Sequence, residues 1–119
     1  PGLLSAVDAG IKAFYDDLVA QNVADDVTIM TFSEFGRRVS ENGSLGTDHG
    51  TAAPMFVIGN SLKGGLYGDY PSLTNLDNNG DLIHTIDFRQ VYATILEEWL
   101  QADATEVLEG SYNKLDFFA

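Results

Sequence analysis

Apolar residues fall into a few short, separated patterns along the chain. Leu4, Val7, Ile11, Phe14 and Leu18 recur at spacings of three and four, which predicts one stripe of a helix over roughly residues 3–21. Asp16, Asp17 and Gln21 lie off that stripe, and Asn22 is placed to stop the helix. Val27-Thr28-Ile29-Met30-Thr31-Phe32 is rich in β-branched residues and reads as a strand buried on both faces, in the manner of a parallel strand between helix layers. Residues 33–53 read as a long polar loop, a length that in a compact domain points to function or mobility. Met55–Gly59 predicts a second buried strand, and Gly65–Tyr67 a short extended piece. Helix, turn and buried strand in succession predict the α/β class.

The C-terminal third is punctuated by local signals. Asp77-Asn78-Asn79-Gly80 is a turn. It does not fit a calcium loop, because Leu82 stands where the EF-hand pattern needs Gly. Asp87-Phe88-Arg89-Gln90 is a capping box opening a helix that buries Val91, Ile95, Leu96, Trp99 and Leu100. Asp103-Ala104-Thr105-Glu106 is a second box, opening a short helix that ends at Gly110. Leu115, Phe117 and Phe118 give the tail 112–119 enough apolar surface to dock.

Charge narrows the partners. Eighteen acidic against six basic side chains leave a net charge of -12. Such a surface repels nucleic-acid phosphates and anionic membranes. No apolar run approaches the ~20 residues of a membrane span. The chain has no cysteine, which removes disulfides and thiolate metal sites. It opens on Pro1-Gly2 and enters an amphipathic segment at once; the expectation is a start within a longer protein, with the rest of its own polypeptide as the first partner.

Candidate chemistry concentrates after the first strand. Sites in open α/β sheets form beyond the carboxyl ends of parallel strands, and strand 27–32 empties into Ser33-Glu34-Phe35-Gly36-Arg37-Arg38. The segment then passes Gly46-Thr47-Asp48-His49-Gly50. Glu34, Arg37, Asp48 and His49 are therefore candidates to meet at one sheet edge. Carboxylate and imidazole suit zinc, manganese or a similar divalent ion, and Arg37-Arg38 suits an anionic substrate. The competing readings are a surface turn in which Asp48 orients His49, and arginines paired within an acid-rich chain. Ser33 lacks the flanking glycines of a nucleophile elbow. Adjacent Asp48 and His49 are poorly placed to form a triad with it. His84, among apolar and Thr neighbours, reads as structural.

Thr31–Arg38, Gly46–Gly50, Gly64–Gly68 and Thr85–Arg89 before a Trp-Leu helix together resemble the C-terminal part of DUF1501 proteins. That resemblance implies an alkaline-phosphatase- and sulfatase-like fold, with this chain as the C-terminal part of its sheet flanked by helices. It also implies export, often by a twin-arginine signal, hence a periplasmic or secreted setting. In the wider superfamily a strand ends in Ser-Asp-His-Gly and a later His precedes another strand. By chain order Ser33–Gly36 matches the first motif and His49 the later histidine, which puts Glu34 in the place of the Asp and Phe35 in the place of the His. In the other placement Asp48-His49 is itself the Asp-His pair. Agreement of the strand contexts favours the first. The superfamily's nucleophile belongs to a portion that this sequence does not hold. Two functions follow: a metal-dependent hydrolase of phosphate or sulfate esters, or an exported binding or scaffold protein that kept the fold and lost part of the site.

Overall fold

The computed structural model describes residues 2–119. It combines helices with two small antiparallel sheets, a mixed α/β composition. Helix α1 spans Gly2–Ala20 and ends in a Schellman arrangement. Asn22, at φ 57°, takes the left-handed position, the Val23 N–H reaches back to the Leu18 carbonyl at 3.0 Å, and the Asn22 N–H to that of Val19 at 3.0 Å. The stop expected at Asn22 is thus made by backbone bonds that asparagine tolerates better than most residues. Along the predicted stripe Leu18 is buried, while Leu4 is 79% exposed and Val7 and Phe14 are exposed too.

A short 3-10 turn, Ala24–Asp26, leads to β1, Ile29–Met30. This strand pairs antiparallel with β4, Val57–Ile58, in the register Ile29↔Ile58 and Met30↔Val57. The expectation of parallel strands buried on both faces is corrected here: the ladder is antiparallel, covers two residues on each side, and is half-buried. Thr31 extends the contact, its N–H donating to the Phe56 carbonyl and its Oγ1 accepting from the Phe56 N–H, both at 2.9 Å.

Between these strands the expected loop 33–53 is a hairpin. Strand β2 is Gly36–Glu41 and β3 is Thr47–Gly50, antiparallel, with Gly36↔Gly50, Arg37↔His49 and Glu41↔Thr47 opposed and a register shift between Arg37 and Glu41. Asn42 builds the turn: its Oδ1 accepts from the Ser44 and Gly46 N–H groups, and its own N–H donates to the Gly46 carbonyl. The expected extended piece at Gly65–Tyr67 forms no strand.

Helix α2, Phe88–Thr94, opens on the predicted capping box, with Asp87 and Gln90 bonding reciprocally. It then widens into a π-helical turn, Ile95–Trp99, closed by the Leu100 N–H on the Ile95 carbonyl at 3.0 Å. The wider turn rotates the helix face. Val91 is buried as expected, but Leu100 is 59% exposed, and Ala93 and Thr94 take the inner positions. Helix α3, Ala104–Leu108, is capped by the Asp103 carboxylate and ends at Glu109 in the left-handed region. The tail docks: the Lys63 N–H donates to Phe117, the Ala119 N–H to Ser61, and Phe118 stacks on Trp99 at 5.9 Å.

Candidate functional site

The predicted residues sit on and beside the β2–β3 hairpin. Arg37 and His49 are direct cross-strand partners, so their side chains share one face of the hairpin. The Phe35 ring, just ahead of β2, meets both. It stacks on the His49 imidazole with centroids 3.6 Å apart and planes 13° from parallel. The Arg37 guanidinium carbon lies 5.2 Å from the Phe35 centroid, within cation–π range. Arg37 Nη1 also donates to the Thr47 carbonyl at 2.8 Å, which fixes the guanidinium along the neighbouring strand.

Backbone packing holds this cluster in place. Ser33 Oγ donates to the Phe35 carbonyl at 2.8 Å and accepts from the Phe35 N–H at 3.4 Å, tightening the bend ahead of β2. Gly36 follows, pressed so closely on residue 52 that a Cβ there would stand 1.7 Å from the Ala52 carbonyl oxygen. Ser33 is therefore engaged with the backbone.

The other candidates point elsewhere. Strand alternation puts Asp48 on the face opposite His49, and Asn42 Nδ2 donates to its Oδ1 at 2.9 Å. Arg38 likewise faces away from Arg37 and donates through Nε to Asp81 Oδ1 at 2.8 Å, a pair in which the Asp81 side chain is 10% exposed. The two arginines do not form a double clamp. Glu34 lies exposed in the bend, one residue before Phe35. His84 is exposed as well. Among the described residues no group of three or more His, Cys, Asp or Glu stands together to hold a metal.

One turn and one hydrogen bond anchor the hairpin's surroundings. The Asp77 carboxylate accepts from the Asp81 and Asn79 N–H groups, and these bonds hold its pKa below the usual carboxylate value. Thr51 Oγ1 donates to the Leu82 carbonyl at 2.6 Å, joining that turn to the end of the hairpin. Farther off, Arg89 bonds the Asp87 carboxylate and lowers its pKa, while its guanidinium lies over the Tyr112 ring at 4.6 Å. Lys114 is raised in pKa by Glu98 and then Glu97.

The residue that sequence reasoning undervalued is Phe35. Its relation to Arg37 was visible as an i, i+2 pair, but only once 36–41 is known to be a strand. A family model described as a protein of unknown function (DUF1501) matches residues 1–110. Neither a curated protein nor a solved structure matches the chain.

Proposed function

The chain belongs to the DUF1501 family, and from that premise we propose that it is the C-terminal part of an exported, alkaline-phosphatase- or sulfatase-like hydrolase of small phosphate or sulfate esters that depends on a divalent metal. One observation carries this reading: Arg37 and His49 are paired across an exposed hairpin, an anion-binding guanidinium beside a metal-binding imidazole.

Imidazole and carboxylate are donor types that suit zinc, manganese or a similar ion, although the described residues bring no three of them together. His49 is the ligand on this face, and Glu34 is the carboxylate of the adjoining bend. Asp48 joins only by releasing Asn42 and crossing the strand. The remaining ligands and the nucleophile belong, on this reading, to the rest of the polypeptide. The exposed apolar residues of α1, Leu3, Leu4 and Val7, give that portion a surface to cover. When bound, such an ion activates a nucleophile or holds a leaving oxygen. Arg37, already fixed by Thr47, neutralises charge on the phosphoryl or sulfuryl oxygens as it develops.

The test is the metal content of the full-length protein and of His49→Ala, followed by turnover of phosphate and sulfate esters. Near-stoichiometric metal and ester hydrolysis, both lost in the variant, are expected. Metal-dependent turnover unchanged in His49→Ala overturns the assignment of His49.

The second reading is a non-catalytic exported binding or scaffold protein. What favours it is Asp48, turned from His49 and held by Asn42. Absence of metal in the wild-type protein after reconstitution decides for it.

A further inference from the structure

We propose that Asn42 is a self-modifying site, an asparagine that loses its side-chain amide as ammonia through attack by the Gly43 backbone nitrogen. The inference is independent of the hydrolase reading. The chain holds two Asn-Gly steps, Asn42-Gly43 and Asn79-Gly80, and their folded settings differ. At the hairpin tip the Asn42 Oδ1 accepts from the Ser44 N–H at 3.0 Å and from the Gly46 N–H at 3.2 Å. These bonds lay the side-chain amide along the backbone of residue 43, and Gly43 has no side chain to keep its nitrogen from the Asn42 Cγ. Among the described residues the Gly43 N–H meets no acceptor, so no bond has to be broken before it attacks. In the 77–80 turn the corresponding nitrogen is engaged: the Gly80 N–H donates to the Asp77 carbonyl at 3.0 Å. Nor, among the described residues, is any N–H aimed at the Asn79 Oδ1.

The step balances with water alone. The Gly43 nitrogen forms a bond to Asn42 Cγ and gives up its proton to solvent. The Cγ–Nδ2 bond breaks, and Nδ2 takes up a proton and leaves as ammonia. Water then opens the cyclic imide at either carbonyl, giving aspartate or isoaspartate. Negative charge gathers on Oδ1 during the attack, and the Ser44 and Gly46 N–H groups already point there, in the manner of an oxyanion hole. Either product has lost Nδ2, which donates to Asp48 Oδ1 at 2.9 Å. The aspartate product also sets a second carboxylate against Asp48. Like charges at that range repel, so the modification loosens the tip that joins β2 to β3.

The experiment ages the full-length protein in warm, mildly alkaline buffer and maps it by tryptic mass spectrometry. Cleavage after Arg38, Lys63 and Arg89 puts Asn42 and Asn79 on separate peptides, and exchange of NH2 for OH raises a peptide's mass. Freeing one backbone N–H before attack slows the step, so Asn42 should convert roughly tenfold faster than Asn79. In urea, where both turns are gone, the two rates should converge. Gly43→Ala tests the attack itself. A Cβ at Gly43 meets nothing within 4 Å, so the tip still forms, while the methyl group hinders the nitrogen and conversion should slow severalfold. Amide exchange at Leu45, whose N–H donates to the Asn42 carbonyl at 3.1 Å, should quicken severalfold in the aged protein and not in aged Gly43→Ala. Asn79 converting as fast as Asn42 in the folded protein, a rate ratio unchanged in urea, or conversion at Asn42 unchanged in Gly43→Ala each overturns the proposal. Leu45 exchange unchanged in fully converted protein overturns the loosening of the tip.

Discussion

Thr94 offers a direct test of how the C-terminal tail is fastened. It is fully buried, and its hydroxyl donates to the Gln90 carbonyl at 2.7 Å while accepting from the Leu115 N–H at 2.8 Å. Thr94→Val keeps the shape and removes both bonds. The Gln90 carbonyl lies within α2 and retains its helical environment, so its share of the loss is small. The Leu115 N–H has a partly buried setting and loses its acceptor, at a cost of about 1–2 kcal/mol, toward the lower end for a stranded buried donor. That corresponds to roughly tenfold easier detachment of the tail. Urea unfolding measures the global loss. Hydrogen exchange at Leu115 and at the Lys63 and Ala119 amides, which bond across to and from the tail, measures the local one. All three should exchange about tenfold faster in Thr94→Val and remain protected in Thr94→Ser. If Leu115 exchange is unchanged in Thr94→Val, or if Thr94→Ser, which keeps the hydroxyl, loosens the tail as much, the loss does not follow the hydrogen bond and the reasoning fails.

Further outcomes follow from the same geometry. Gly36→Ala drives a Cβ into the Ala52 backbone, where no flexible side chain can yield; a loss of about 3 kcal/mol or more, seen in thermal unfolding together with loss of the His49 ring-proton shielding, is expected. Asp81→Ala strands Arg38, whose side chain is 38% exposed, and should cost about 2 kcal/mol, between a surface pair and a buried one; urea unfolding at low and high salt checks it. Asp77 and Asp87 have lowered pKa values in the folded chain, so their stabilisation is complete above the unfolded carboxylate value of roughly 4 and is lost as pH falls through the folded values. Asp77→Asn and Asp87→Asn should therefore unfold more easily than wild type near pH 6 and converge with it as pH falls through the lowered folded values, as followed by urea midpoints across pH.

What was legible in the sequence was what neighbouring residues decide among themselves. Asn22 ends α1, Asp87 and Gln90 cap α2, and the 77–80 turn forms, because each bond spans only a few positions. The hairpin was not legible because Val39 is the only large apolar side chain on β2, and that strand is mostly exposed; a strand that buries neither face leaves no alternation to read. The π-helical turn also left no signal, since Leu96, Trp99 and Leu100 satisfy a regular helical stripe equally well. For the site, the consequence is specific. Asp48 and His49 looked like a pair because they are adjacent, and a strand turns adjacent side chains to opposite faces. Arg37 and His49, twelve positions apart, are the pair that the fold makes, and Phe35 meets both because Gly36 lets β2 begin against Ala52. The hairpin thus converts a polar stretch without periodicity into one face bearing a guanidinium, a phenyl ring and an imidazole. Its chemistry is set by that pairing rather than by the Asp-His dipeptide.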